Sequence, residues 1–129
     1  MFSATFPTAI QTAAAKFLNN YVYIVVGVIG GACDDVQQIF IPLERGEKRE
    51  KLIEIINESD KDDKILVFVA SKKGADFLAT SLISKGVSTT SIHGDRLQSQ
   101  RETALSEFTR GKRKVLIATS VAARGLGEF

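Results

Sequence analysis

The sequence has too little cysteine and too short an apolar run for two classes of protein. Its one cysteine, Cys33, cannot form an internal disulfide, which fits a reducing compartment. We interpret Cys33 as a small hydrophobic residue beside a glycine turn. The longest apolar run, Tyr21 to Ile29, is too short and too β-branched to cross a membrane as a helix, and no basic segment with a cleavage site precedes it. We therefore expect an intracellular protein without a membrane span.

Two kinds of binding motif are also missing. No GxxxxGK[ST] loop is present, so the sequence offers no glycine-rich cradle for nucleotide phosphates. His93 is the single histidine and has no second histidine or thiol at ligand spacing, so we expect no metal site.

Charge and length set broad limits. The chain has 17 Lys and Arg residues against 15 Asp and Glu residues, a net charge of +2, so any contact with nucleic acid must come from a local patch. Its 129 residues suffice for one compact core but not for two full domains.

Four short segments have the apolar, β-branched or aromatic composition of strands buried on both faces. They are Val36 to Leu43, Lys64 to Ala70, Thr89 to His93 and Lys114 to Ala118. Helical spacing of apolar residues fills the intervals, with Gly86 and Gly111 placed to end two of the helices. This alternation predicts an α/β fold with a parallel sheet.

The first residues form a separate pattern. An apolar helical stripe runs from Ile10 to Leu18, and a predicted strand, Tyr21 to Val28, follows it before GGACDD. We interpret the glycines as a linker. Because an unpaired strand is a template for association, we expect Tyr21 to Val28 to dock on a sheet edge of its own chain or of a neighbour, in an edge-paired or swapped dimer.

Polar or small residues follow three of the predicted strands. Ser71, Lys72 and Lys73 follow one, His93, Gly94 and Asp95 follow or end the next, and Thr119 and Ser120 follow the last. The carboxyl ends of parallel strands share one edge, where α/β proteins bind ligands, and a single-stranded nucleic acid could run along it. The alternative for Ser71 to Lys73 is a helix cap with a solvated lysine pair.

Arg101 falls on the apolar stripe of its helix, where an unpaired guanidinium would be costly. It therefore needs a partner. An internal carboxylate such as Asp95 could pair with the guanidinium, or a phosphate could accept two hydrogen bonds from it. The residues alone leave both alternatives open.

Two other features have alternative interpretations. Thr5 in the SAT triplet fits an N-cap of the first helix as well as a functional position. Phe77 falls on a polar helix face among Lys73, Thr80 and Ser84, where it is either an isolated apolar residue or an anchor for another protein.

The order of these motifs resembles the second half of a DEAD-box RNA helicase core. It comprises SAT at Ser3 to Thr5, HGD at His93 to Asp95, QSQR at Gln98 to Arg101 and TSVAARGL from Thr119. The resemblance covers nearly all of the chain, and VIGGACDDVQQ is most similar to the Vasa-like germline branch. It implies a RecA-like parallel sheet flanked by helices.

The resemblance also implies residue roles. Contacts to RNA phosphates fall to Gln98, Arg101 and Thr119, and we assign Ser71, Lys72, Gly94 and Asp95 to the same strand-end track. Ser3, Thr5 and Arg124 would couple this domain to the first RecA-like domain. We expect residues 1–29 to close that first domain, 30–35 to be the linker and 36–126 to be an incomplete second domain.

The family's ATP and Mg²⁺ chemistry is implied for the whole protein. We expect no ATPase activity from this chain, because the family pattern continues RGLD where this chain has Gly127, and the arginine-rich motif that follows is absent. Residues 127–129 are expected to be a vector-derived tail. The branch implies a cytoplasmic, perinuclear germ-granule location and a LOTUS-domain partner at Phe77, so a protein-interaction module is the alternative function.

Overall fold

A computed structural model of the chain describes residues 1–3, 6–27 and 36–120. The chain divides between Ile41 and Pro42 into two units.

In the first unit the described residues form one helix, α1 (Thr8–Phe17). Pro7 is its N-cap residue, and no side chain of the described residues caps the helix. The interpretation of Thr5 as a capping residue stays a prediction. Thr5 itself lies outside the described residues. The ring of Phe6 stacks on that of Tyr23 at 5.5 Å between centroids. Only Ala14 of α1 is buried.

Two predicted strands are wrong for the described residues. Tyr21 to Gly27, the described part of the first one, and Val36 to Leu43 form no strand. Both segments are largely exposed. The physical reason is that apolar composition alone does not make a strand, because backbone N–H and C=O groups need a ladder partner. The sheet of the described residues includes neither segment.

The second unit alternates helices and strands in chain order. Its elements are α2 (Lys48–Glu58), β1 (Ile65–Val69), α3 (Lys72–Ser84), β2 (Thr89–Ile92), α4 (Gln98–Thr109) and β3 (Val115–Thr119). The strands form one parallel sheet in the order β1-β3-β2. The predicted α/β class and parallel sheet are confirmed, and each predicted strand of this unit matches the observed one to within one residue at either end.

Local chemistry sets the helix ends. The Ser71 hydroxyl caps α3 by accepting from the Gly74 N–H at 3.0 Å. Gly86 ends the same helix with a positive φ of 80°, which residues with a Cβ rarely adopt. The Lys114 ammonium donates to the carbonyls of Ile56 and Ser59 at the carboxyl end of α2.

Each face of the sheet is covered by helices. On one face α2 and α3 pack on the strands through Ile56, Ala75, Ala79, Leu82, Val115 and Ile117. On the other, α4 packs through Ile92, Ala104, Phe108 and Leu116. Alternate residues of β3 supply both clusters, as the two-residue period of a strand requires. No helix of the described ranges is long and apolar enough to cross a bilayer.

Candidate functional site

The register of the sheet aligns the carboxyl ends of its three strands. Val69 of β1 lies opposite Thr119 of β3, and Ile92 of β2 lies opposite Ala118. The residues that end or follow the strands therefore share one edge. We call this the strand-end edge and define it as Ser71, Lys72, His93, Gly94, Asp95 and Thr119.

Lys72 crosses this edge to reach Asp95. Its ammonium lies 2.5 Å from Asp95 Oδ1. Since β3 lies between β1 and β2, the pair connects the outer two strand ends past the end of β3. Both side chains are more than half exposed. An ammonium in this position is accessible to an anion from solvent. The helix-cap interpretation of Ser71 is confirmed, and its hydroxyl is occupied by Gly74.

Gly94 lies directly beside the Lys72 side chain. A Cβ built on Gly94 would lie 3.7 Å from Lys72 Cε and 3.8 Å from Nζ, so a larger side chain would fill the space next to the ammonium. The turn is closed by the Arg96 N–H, which donates to the His93 carbonyl at 3.1 Å. Glycine thus leaves the Lys72 ammonium uncovered on the side that faces residue 94.

Gln98 and Arg101 lie in the first turn of α4. The Arg101 Nη1 donates to Gln98 Oε1 at 3.0 Å, and the Gln98 amide donates to Glu102 at 2.9 Å. Arg101 Nε is buried and has no partner in the described part of the chain. The interpretation of Asp95 as the partner of Arg101 is wrong, because Asp95 accepts from Lys72. The guanidinium is left with a neutral amide and keeps donors for an anion.

A polar cluster around Asp76 was not found from the sequence. Asp76 Oδ1 on α3 lies 3.2 Å from Ser91 Oγ, 3.0 Å from His93 Nε2 and 2.7 Å from Arg96 Nη2. Arg96 also donates to Ser91 Oγ at 3.1 Å. Ser91 and His93 are buried. One carboxylate oxygen thus contacts a strand, its end and the turn after it.

The electrostatics of the cluster favour the ionised carboxylate. Partial burial raises the pKa of Asp76, but the hydrogen bond with His93 and the positive charge of Arg96 outweigh it, so that the pKa is lowered from its ordinary value. With His93 Nε2 donating to Asp76, a neutral ring has Nδ1 as its acceptor, and this nitrogen is buried without a partner in the described residues.

A signal for this cluster does exist in the sequence. Ser91 and His93 are polar residues at alternate positions of a strand predicted to be buried, so they point to the same face. Buried polar groups need partners. The partner of Ser91 and His93 is expected on the helix that covers the same face of the sheet. In that helix, α3, Asp76 is the acidic residue beside the apolar stripe.

The remaining predicted residues lie apart or outside. Phe77 is 66% exposed on α3, so its predicted exposure is confirmed. Ser3 lies in the first unit. Arg124 and Thr5 lie outside the described residues.

Comparison with known proteins decides the family. Residues 47–127 match the helicase conserved C-terminal domain. Over 126 residues the chain is 59% identical to ATP-dependent RNA helicase vasa of Drosophila melanogaster, and over 127 residues 57% identical to probable ATP-dependent RNA helicase DDX4 of Homo sapiens. The chain belongs to the DEAD-box RNA helicases. The match covers 98% of this chain, but the chain spans only 19% and 17% of these two relatives.

Solved DEAD-box structures agree with this assignment. Saccharomyces cerevisiae Dbp5 bound to RNA and ADP BeF3 matches with a TM-score of 0.81 and 31% identity, over 96% of this chain and 32% of that one. The yeast DEAD-box splicing factor Prp28 matches with a TM-score of 0.65 and 35% identity, over 97% of this chain and 28% of that one. The three-stranded parallel sheet with its helices thus matches the RecA-like C-terminal domain of the family.

The residues present do not fit the family's nucleotide and metal by themselves. The sequence has no glycine-rich phosphate loop, and the described residues hold no group of three or more histidine, cysteine or acidic residues that could bind a metal ion.

Proposed function

We propose that this chain supplies RNA-phosphate contacts of the second RecA-like domain of an ATP-dependent RNA helicase. The observation that carries the proposal is the alignment of three strand ends, which gathers Ser71, Lys72, Gly94, Asp95 and Thr119 on one edge, beside Gln98 and Arg101 at the start of α4. A relative of the same fold is described as bound to RNA, which supports the choice of ligand.

The chemistry of the strand-end edge suits a sugar-phosphate backbone. Lys72 on this edge and Arg101 at the start of α4 offer an ammonium and a guanidinium with free donors, and Gln98 of α4 adds a neutral amide. Thr119 ends β3 at the same edge and is buried, with 7% of its surface exposed. Such contacts recognise phosphate without reading bases, so binding is expected to be independent of sequence and to weaken with salt.

The role of the chain in the whole protein extends this proposal. Residues 1–29 would complete the first RecA-like domain, and 30–35 would link it to the second RecA-like domain, residues 36–126. Ser3, Thr5 and Arg124 would couple the two domains. In the whole protein, closure of the two domains over a single RNA strand would bend the strand and separate a short duplex, and opening would release it; ATP, with Mg²⁺, would supply the energy for this cycle. The chain alone would be inactive.

The test is fluorescence anisotropy of a labelled single-stranded RNA against the chain over a salt series. Because Arg101 would make charge-assisted hydrogen bonds with phosphate, we expect Arg101→Ala to weaken binding about tenfold or more and to reduce the salt dependence. Arg110→Ala is the matched control, since Arg110 is an exposed arginine in the turn that precedes β3. Equal losses in the two variants would contradict the site, and a wild-type chain that binds no RNA would contradict the function.

Exposed Phe77 favours a second candidate function, a protein-interaction module of a germ-granule protein. Its ring is 66% exposed on the face of α3 that also carries the exposed residues Lys73, Thr80 and Ser84. An exposed aromatic ring can anchor a partner. We propose a LOTUS-type domain as that partner and a cytoplasmic, perinuclear location in germ cells. Phe77→Ala should abolish capture of such a domain while Ile83→Ala, another exposed apolar residue of α3, should not.

Self-association through Tyr21 to Val28 remains a proposal in its intermolecular form. The described residues of this segment are exposed and belong to no sheet, which supports an available template. Light scattering should show a dimer that Ile24→Lys converts to monomer. A wild-type monomer at high concentration would overturn the dimer.

A further inference from the structure

The turn that carries Gly94 and Asp95 is stabilised by Asp76, a residue of α3 that has no assigned role. Asp76 contacts Ser91, His93 and Arg96 through one oxygen, at 3.2, 3.0 and 2.7 Å. These three residues lie in β2, at its end and in the turn that leads to α4. Asp76 thus connects α3 to the part of the chain from which much of the strand-end edge is built.

We propose that Asp76 is a positioning residue for RNA binding. It fixes Arg96, and Arg96 fixes the turn 93–97 and the start of α4, where Gln98 and Arg101 lie. The inference rests on the proposed function, because it concerns the same RNA contacts. Asp76 itself makes no contact with phosphate in this scheme, since two anions repel each other.

The geometry favours positioning over a generic surface pair. Arg96 Nη2 bonds to both Asp76 Oδ1 and Ser91 Oγ, and Ser91 is buried, so the guanidinium is tied to a fixed point of the sheet. The Arg96 N–H closes the turn on the His93 carbonyl, while the Leu97 N–H donates to Gln100 Oε1 at 3.1 Å and starts α4. Backbone and side chain of Arg96 thus hold the same turn from two directions.

The direction of the change in RNA affinity on Asp76→Asn distinguishes a positioning role from a simple charge effect. Asp76→Asn removes a negative charge near the proposed phosphate track, so by Coulomb's law alone it should strengthen RNA binding. Positioning predicts the opposite, because the amide gives Arg96 a weaker partner and the turn loosens. A misplaced contact weakens binding, and we expect a loss of about fivefold in affinity.

The experiment compares RNA anisotropy for the chain and for Asp76→Asn, Arg96→Met and the double variant. If Asp76 acts through Arg96, the two single losses do not add. Asp62→Asn is the charge control, since Asp62 is an exposed acid in the turn before β1. Ala79→Gly is the stability control, because Ala79 packs in the core on the buried face of α3 and is not one of the four residues of the Asp76 cluster. Neither control should change RNA affinity by as much as Asp76→Asn.

Hydrogen exchange provides a readout that does not depend on RNA. In Asp76→Asn the amides of Arg96 and Leu97 should lose protection, while that of Ile117 in β3 should keep it. Affinity unchanged or raised in Asp76→Asn, additive losses, or unchanged protection at Arg96 and Leu97 would each overturn the positioning role. Absence of RNA binding by the wild-type chain would instead overturn the proposed function and with it the RNA role of Asp76.

Discussion

Strand β3 and the segment Tyr21 to Gly27 have similar composition but opposite environments. Both are runs of apolar and β-branched residues. In β3, Val115 to Ala118 are fully buried, whereas Val22 and Val26 are 83% and 96% exposed. β3 has a ladder partner on either side and helices on both faces, and the segment has no strand partner among the described residues. Burial is therefore set by neighbours and not by the residues of the run alone.

Helix α3 of the second unit and helix α1 of the first unit differ likewise in how many of their side chains are buried. In α3 a serine caps the first turn, and three side chains are buried against the sheet. In α1 the N-cap residue is Pro7, no side chain of the described residues caps the first turn, and one alanine is buried. Most helical stability in proteins comes from packing of an apolar face, so α3 is expected to be far more protected than α1.

The largest effect expected from this contrast is in the core. Leu116→Ala should lower the free energy of unfolding by about 2–5 kcal/mol, because it removes a fully buried side chain and leaves a cavity. Val26→Ala should change it by no more than about 0.5 kcal/mol, because Val26 is exposed. Urea unfolding followed by circular dichroism measures both. Similar losses in the two variants would mean that the segment is packed in solution.

A smaller effect is expected at the cap of α3. Ser71→Ala should cost about 1 kcal/mol, since the Gly74 N–H loses its acceptor, and Ser71→Gly only a few tenths. The comparable change in α1, Pro7→Ser, would add a cap and should leave the unfolding of the sheet unchanged. The same urea titrations check these values. A loss as large with glycine as with alanine would show that Ser71 acts through something other than capping.

The smallest effect expected is a decrease in the stability of the second unit at acid pH. Asp76 has a folded pKa below its ordinary value of 3.8, so its contribution to stability is complete above that value and is lost as pH falls through the lower folded pKa. The stability difference between the wild-type chain and Asp76→Asn should therefore shrink as pH falls from 7 into that range. A difference that stays constant with pH would show that the carboxylate charge does not stabilise the fold.

Much of the second unit could be predicted from the sequence. The composition of β1, β2 and β3 and the helical intervals between them predicted the parallel sheet. Burial at every position is confirmed for β3 alone, since Phe68 of β1 is 55% exposed. Val36 to Leu43 has the same local composition and forms no strand, because pairing is a property of two segments and cannot be found in one.

The candidate site could be predicted only where it follows chain order. Residues that follow the strands of a parallel sheet meet at one edge because of the topology. The sequence therefore predicted that Lys72 and Asp95 lie at the same edge, but it did not predict that they form an ion pair. The Asp76 cluster depends on side chains from different elements that approach one another only after packing. The roles of these residues in RNA binding stay predictions.

In the Lys72–Asp95 pair, the Asp95 carboxylate occupies the position next to the ammonium that an anionic ligand would take. Together the two side chains present no net charge, so the pair attracts RNA little from a distance. A phosphate that takes the ammonium must replace a carboxylate that is already tethered to the protein. A free chloride or phosphate ion competes poorly with a tethered group, whereas a phosphate on a strand is held in place by its neighbours. If the edge binds RNA as proposed, the pair would therefore favour a strand of phosphates over single ions.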